Sequence, residues 1–262
     1  MPSGALGRLR NGRSSDRLAA ARAQIENAAL ILCDLDGCLV AGGKPCDGAA
    51  EFVERHGERL RIVSNNSTHS ATRLASELAS MGLRVRAEQC VLAGEVAVAH
   101  VLRRYPGAKV QFLGSADLCE RLRAEGLRVV AENPDVVLVC RDLDLRFDSL
   151  QRAVTAAYRG APIVAANPDP SHPDSRGEPQ LETGAILAAI RSAVPQAAVT
   201  VIGKPAPELF LAATRGMLAR RALVIGDNPD TDIEGARTAG IPSILIGKLP
   251  SALARSLRAF SH

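Results

Sequence analysis

Short, predominantly apolar runs of three to six residues, separated by stretches with helical spacing, organise this chain: they fall at 28–33, 60–63, 110–113, 136–140, 163–166, 199–202, 223–225 and 243–246. Strands buried on both faces read as continuous apolar segments, as Val136-Val137-Leu138-Val139 does, whereas half-exposed strands alternate. Between these runs, 70–81 carries Leu74 and Leu78 on one helical face and stops at Gly82, a residue suited to helix ends. Similar helices are predicted at 118–125, 149–158, 184–194 and 208–217. Strand and helix in alternation predict βαβ units, hence an α/β fold built on parallel sheet. The segment 167–182 breaks the pattern with Pro168, Pro170, Pro173 and Pro179 among polar residues. It is predicted to be a long loop, and such loops inside compact domains are commonly functional.

Composition narrows the class. The 262 residues are 47% hydrophobic and 23% charged, which fits a folded globular chain of one large or two modest domains. Aromatics are only 3% and Trp is absent, so the core must be built from Leu, Val, Ile and Ala. The 32 basic and 28 acidic residues are interleaved, which argues against nucleic-acid binding despite a net charge of +4. Arg8, Arg10, Arg13 and Arg17 form the one local excess and read as a solvated tail leading into an N-terminal helix within 1–27. No run reaches the roughly 18 apolar residues of a membrane span, and Asp34 interrupts the first apolar run before it could serve as a secretory signal, so the expectation is a cytoplasmic protein without membrane partners. Six cysteines show no C-x-x-C pair and no metal-ligand spacing with any His. Cys33 and Cys38 flank Asp34; sensitivity to thiol reagents is one consequence, and packing is the simpler account.

In open α/β sheets ligands sit beyond the carboxyl ends of the strands, and here four strand ends carry chemistry. Asp34 and Asp36 lie two apart after the first run, on one side of an extended backbone, with Gly37 free to turn. Two adjacent acids suit a division into an ionised nucleophile or metal ligand and a protonated acid; a surface turn reads the same way. Ser64-Asn65-Asn66-Ser67-Thr68 gathers short donors at a helix start, fit for phosphate or simply for a helix cap. Gly203-Lys204-Pro205 puts an ammonium at a strand-to-helix junction, with none of the spacing of a Walker A loop. Asp227, Asp230 and Asp232 place three carboxylates within six residues, suited to a hard cation or to a helix N-terminus.

Together with Ala166-Asn167-Pro168-Asp169, these segments resemble the haloacid dehalogenase superfamily, and in particular its NagD-like branch of pyridoxal phosphate, phosphoglycolate and nitrophenyl phosphatases. The resemblance spans roughly 28–248. It implies a Rossmann-like core with a parallel sheet, from 28–104 and 200–262, and an inserted α/β cap domain at 105–199, of the kind that branch carries. It implies a magnesium-dependent phosphatase acting on small phosphate esters through an aspartyl-phosphate on Asp34, with Asp36 as general acid and base. An acid at the Asp36 position separates phosphate-ester chemistry from carbon–halogen and carbon–phosphorus cleavage in that family. Magnesium would lie on the carboxylates of Asp34 and Asp227 and the carbonyl of Asp36, with Asp232 behind them orienting ligands. Ser64 and Lys204 would hold the phosphoryl group, with Asn65 and Asn66 beside them.

The cap would select substrate, and His172 in the proline-rich loop is the candidate contact. Substrates consistent with the resemblance are pyridoxal 5′-phosphate, glycerol phosphate, phosphoglycolate, sugar phosphates and 4-nitrophenyl phosphate, and homo-oligomers through the cap are a further expectation. Leu181-Glu182-Thr183-Gly184 and Cys46-Asp47-Gly48 stand where the branch usually has Pro-Gly. Two other readings stay open at this level: a phosphotransferase or mutase that passes the group to an acceptor other than water, and a non-catalytic phosphate-ligand sensor on the same fold.

Overall fold

The structure is a computed structural model that describes residues 5–174 and 176–261; the side chains of 5–15, and with them Arg8, Arg10 and Arg13, lie outside the described residues. The chain runs α1 (Ala5–Asn27), β1 (Leu30–Cys33), a short hairpin β2 (Val40–Ala41) and β3 (Lys44–Pro45), α2 (Ala49–His56), β4 (Leu60–Ser64), α3 (Ala71–Ser80), β5 (Cys90–Leu92) and α4 (Ala93–Arg104). A second unit follows: β6 (Lys109–Leu113), α5 (Ala116–Ala124), β7 (Arg128–Val129), β8 (Val136–Val139), α6 (Phe147–Tyr158), β9 (Ile163–Ala165), hairpin β10 (Ser171–Pro173) and β11 (Pro179–Leu181), α7 (Thr183–Ala193) and β12 (Val199–Val201). The return path adds α8 (Glu208–Thr214), β13 (Ala222–Gly226), α9 (Glu234–Thr238) and β14 (Ser243–Leu245).

Two five-stranded parallel sheets result, ordered β14-β13-β1-β4-β5 in the core and β12-β9-β8-β6-β7 in the cap. β1, β8 and β13 are buried throughout, which is why they read as unbroken apolar runs. β5 and α4 escaped the sequence reading because Cys90-Val91-Leu92 passes into Ala93 without turn residues to mark the junction. The run at 199–202 was expected to end a core strand with the core resuming at residue 200, but β12 pairs with β9 in the cap sheet. Apolar character alone does not say which of two sheets a strand will join. The loop at 167–182 contains the antiparallel β10–β11 pair.

One apolar cluster joins the two units: Leu32, Val63 and Val224 from the core sheet, Val98 and Val101 from α4, and Val136, Leu138 and Val164 from the cap sheet. A second lies on the opposite face of the core sheet, where α1 docks Ala21 and Ile25 beside Phe52 and Ile31. The backbone of 5–27 is therefore helical where the sequence reading has a tail ahead of a helix; Ala, Leu and Arg favour helix, and the docked residues supply the packing. Arg17 is exposed. Arg59 closes this helix, donating from Nη1 to the carbonyls of Ile25 and Ala28, each at 2.6 Å.

His56 is buried against Phe52, with ring centroids 4.5 Å apart, and its Nε2 has no hydrogen-bond partner. Burial, and then the Arg59 charge, lower its pKa from 6.5 to about 4. The unfolded chain therefore binds a proton at this residue between those values that the folded chain does not, so the His56 contribution to stability falls as pH drops from 6.5 toward 4 and levels off below. Urea midpoints measured across that window should fall on acidification, and His56→Gln should remove this part of the slope. A difference between the two proteins that stays constant with pH would refute the assignment.

Candidate active site

β4 and β13 flank β1 in the sheet, so their carboxyl ends open together on one crevice. Asp34 follows β1, Ser64 ends β4 and Asp227 follows β13, and the sheet thereby gathers three segments that lie far apart in the chain. The Asp34 N–H continues the ladder to the Ile225 carbonyl at 2.9 Å. Its side chain is only 7% exposed. Burial, and then the charge of Asp232, raise the Asp34 carboxyl well above the usual carboxylate range, while Lys204 opposes them.

Lys204 reaches this crevice from the cap sheet. The N–H groups of Ile202 and Gly203 donate to Ala165 and Ala166 at 3.0 and 2.7 Å, so the β12–β9 ladder runs up to the lysine. From the core side, Asn65 clamps the lysine backbone: its Oδ1 accepts from Lys204 N at 2.7 Å and its Nδ2 donates to Lys204 O at 3.1 Å. A side chain at Gly203 would collide with Asn65 Oδ1, so only glycine permits this crossing. The ammonium, 4% exposed, then spans Asp34 Oδ1 at 2.5 Å and Asp232 Oδ1 at 2.6 Å. Burial disfavours its charge, but the two carboxylates outweigh that and push its pKa above the ordinary lysine range.

Asp232 is buried, and its other oxygen accepts from the backbone N–H of Asn228 at 3.1 Å. It therefore orients Lys204. Asp36 is exposed at the mouth of the crevice, yet desolvation by the surrounding protein raises its carboxyl, with the Lys204 and His172 charges pulling the other way. Gly37 turns the chain at φ 86°, and a Cβ there would strike the Asp227 carboxylate. Glycine thus lets Asp227 approach the Asp34 loop.

Ser64 is buried and its Oγ accepts from Asn66 N at 3.1 Å, while Asn66 Oδ1 accepts from Thr68 N and His69 N, both at 3.0 Å. The Asn65 amide was expected beside phosphate; it is instead consumed as a strut to Lys204 and to Asp169 Oδ2 at 2.9 Å. Asn167, fully buried, supports the same strut by donating to Asn65 O at 2.7 Å. His172 Nδ1 lies 2.9 Å from Glu182 Oε1 on the cap hairpin, and Arg141 Nε is 3.5 Å from the same oxygen. The sequence reading assigned no role to Asn167, Asp169 or Glu182, although Asn167 and Asp169 stand in one of the segments that carry the family resemblance.

Asp34, Asp227 and the thiol of Cys38 place one ligand atom each within 4.8 Å of one another. Asp34 and Asp232 share the Lys204 ammonium, and Asp36 and Asp227 lie near enough for its charge to act on them. Burial, and then repulsion from Asp232, push the pKa of Asp227 up to about 6. A hard divalent cation fits this donor set, since it would supply the positive charge the carboxylates lack.

The description "Haloacid dehalogenase-like hydrolase" fits residues 31–128, from the core into the cap as far as β7, and a HAD-hydrolase-like description fits 201–249, the return to the core. Ribonucleotide monophosphatase NagD of Escherichia coli is 30% identical over 82% of this chain and 86% of its own length. The chain belongs to the haloacid dehalogenase-like hydrolases. Within them it falls in the NagD-like branch and is a phosphatase of that branch. D-Glycerol 3-phosphate phosphatase of Mycobacterium tuberculosis is 37% identical over 82% of this chain, which spans 62% of that relative's length. A glycerol phosphate phosphatase from M. tuberculosis, solved in complex with magnesium, superposes with a TM-score of 0.78 at 36% identity over 84% of this chain and 68% of that one. The family's two-sheet arrangement of core and cap is the one described above. Among the described residues no helix is long and apolar enough to cross a membrane.

Proposed function

We propose that this phosphatase hydrolyses small phosphate monoesters by transferring the phosphoryl group to Asp34 and then to water, with magnesium held by Asp34, Asp227 and the Asp36 carbonyl. The observation that carries the reading is the buried Asp34–Lys204–Asp232 line. Lys204 fixes one oxygen of Asp34, which leaves the other to attack phosphorus. Asp232, tied to Asn228 N, keeps the ammonium from swinging away. Ser64, at the carboxyl end of β4, keeps its own O–H to donate to a phosphoryl oxygen while its Oγ accepts from Asn66 N. When bound, magnesium would neutralise charge on the transferring group. Asp36, whose carboxyl retains its proton more readily than an ordinary aspartate, gives that proton to the leaving oxygen, and as a carboxylate it then takes one from the water that cleaves the aspartyl-phosphate. Catalysis is then chiefly positioning and charge neutralisation.

His172, paired with Glu182 in the cap and near enough for its charge to act on Asp36, is the proposed substrate contact. Glycerol phosphate and sugar phosphates head the candidate substrates, with pyridoxal 5′-phosphate, phosphoglycolate and 4-nitrophenyl phosphate also in the panel that tests the reading. Phosphate release should require magnesium and rank these esters by kcat/KM. No release from any of them, with or without magnesium, would overturn the proposal.

A further inference from the structure

Cys38 directly follows Gly37, is 1% exposed, and brings its sulfur to the Asp34 and Asp227 carboxylates. The three ligand atoms lie within 4.8 Å of one another, so one ion could meet all of them after small side-chain rotations. Sulfur has no place in a site built for magnesium, which takes oxygen donors almost without exception. Zinc and cobalt(II) accept thiolate and carboxylate together. We propose that Cys38, Asp34 and Asp227 form a mixed sulfur–carboxylate site for a thiophilic divalent cation, competing with magnesium for the same two carboxylates. The proposal rests on reading Asp34 and Asp227 as the cation-binding pair. The hydrogen bond with Cys33 and burial hold the Cys38 thiol well above its ordinary range, so the ion itself has to displace the proton, which passes to solvent as sulfur binds with no change of oxidation state. An ion so held draws the nucleophile's carboxylate into its coordination shell, so zinc is expected to act as an inhibitor that added magnesium reverses.

Cobalt(II) titration of the full chain tests this by spectrum rather than by turnover. A sulfur-to-cobalt charge-transfer band should appear in the near ultraviolet. It should be absent in Cys38→Ser and Cys38→Ala, and retained in Cys33→Ala, which removes the neighbouring buried thiol. Manganese(II) binding, followed by loss of its free-ion paramagnetic resonance signal, reports the carboxylate pair separately. In both Cys38 variants the preference for zinc over manganese should fall by at least about tenfold while manganese affinity holds. Manganese binding without a sulfur band in the parent chain, or a band that survives Cys38→Ser, would overturn the thiol's role alone. Failure of manganese to bind would overturn the carboxylate reading and this proposal with it. Circular dichroism melts establish that each variant is folded, and the Ser variant, nearly isosteric, keeps the test open if the Ala variant is not.

Discussion

Asp34→Asn is expected to lower kcat by about 10⁴-fold or more, the scale on which removing a nucleophile is felt when the rest of a catalytic unit stays in place. An amide cannot form the acyl-phosphate, so acid quenching of a reaction with 4-nitrophenyl phosphate should recover phosphoryl group on the parent chain and none on the variant. The fold should persist. The substitution deletes a buried charge that Asp232 repels, and Lys204 keeps its other partner at 2.6 Å. The melting temperature therefore holds or rises while activity disappears, which separates a chemical role from a structural one. Turnover in the variant near that of the parent would remove Asp34 from the mechanism.

Asp36→Asn should divide substrates by their leaving groups. The glycerol of glycerol phosphate departs as an alkoxide unless its oxygen is protonated, so loss of the acid should cost about 10²- to 10⁴-fold in kcat/KM. Nitrophenolate is a far better leaving group and needs no proton, so the first step with 4-nitrophenyl phosphate should survive. The second step still lacks its base. A burst of nitrophenol with accumulation of phosphorylated chain is the expected signature, read by stopped-flow absorbance and acid-quench labelling. An equal loss for both esters with no burst would mean that Asp36 is not the proton-transfer group.

Much of this was legible because the chemistry stands at strand ends and buried parallel strands declare themselves by apolar runs. Asp34, Ser64 and Asp227 were placed correctly at the carboxyl ends of β1, β4 and β13 by that logic alone. What stayed hidden depended on distance through space. The 199–202 run is indistinguishable in sequence from a core strand, and only pairing with β9 assigns it to the cap. Asn65 reads as a phosphate donor by type and position, whereas both ends of its amide are already engaged by Lys204 and Asp169. Cys38 reads as packing since no second cysteine or histidine stands at ligand spacing in the chain; the sheet brings Asp227 to it and to nearby Asp34. β5 passes into α4 at Leu92, which makes no capping hydrogen bond, and the nearest glycine, Gly94, already lies inside the helix, so their junction is poorly marked.

The delivery of Lys204 by the last cap strand has a consequence for anyone who would rebuild this enzyme. A substrate-selecting module that ended cleanly at the core could be exchanged between relatives as a cassette. Here the final ladder bonds of the cap, at Ile202 and Gly203, set the height at which the ammonium enters the crevice, and Asn65 accepts it there from the other side. A graft joined upstream of β12 would carry a foreign recognition surface and leave the lysine on a strand whose aiming partner, β9, is foreign to it. The working splice lies beyond Lys204, so that donor cap and catalytic ammonium travel together and the recipient supplies only the asparagine that receives them.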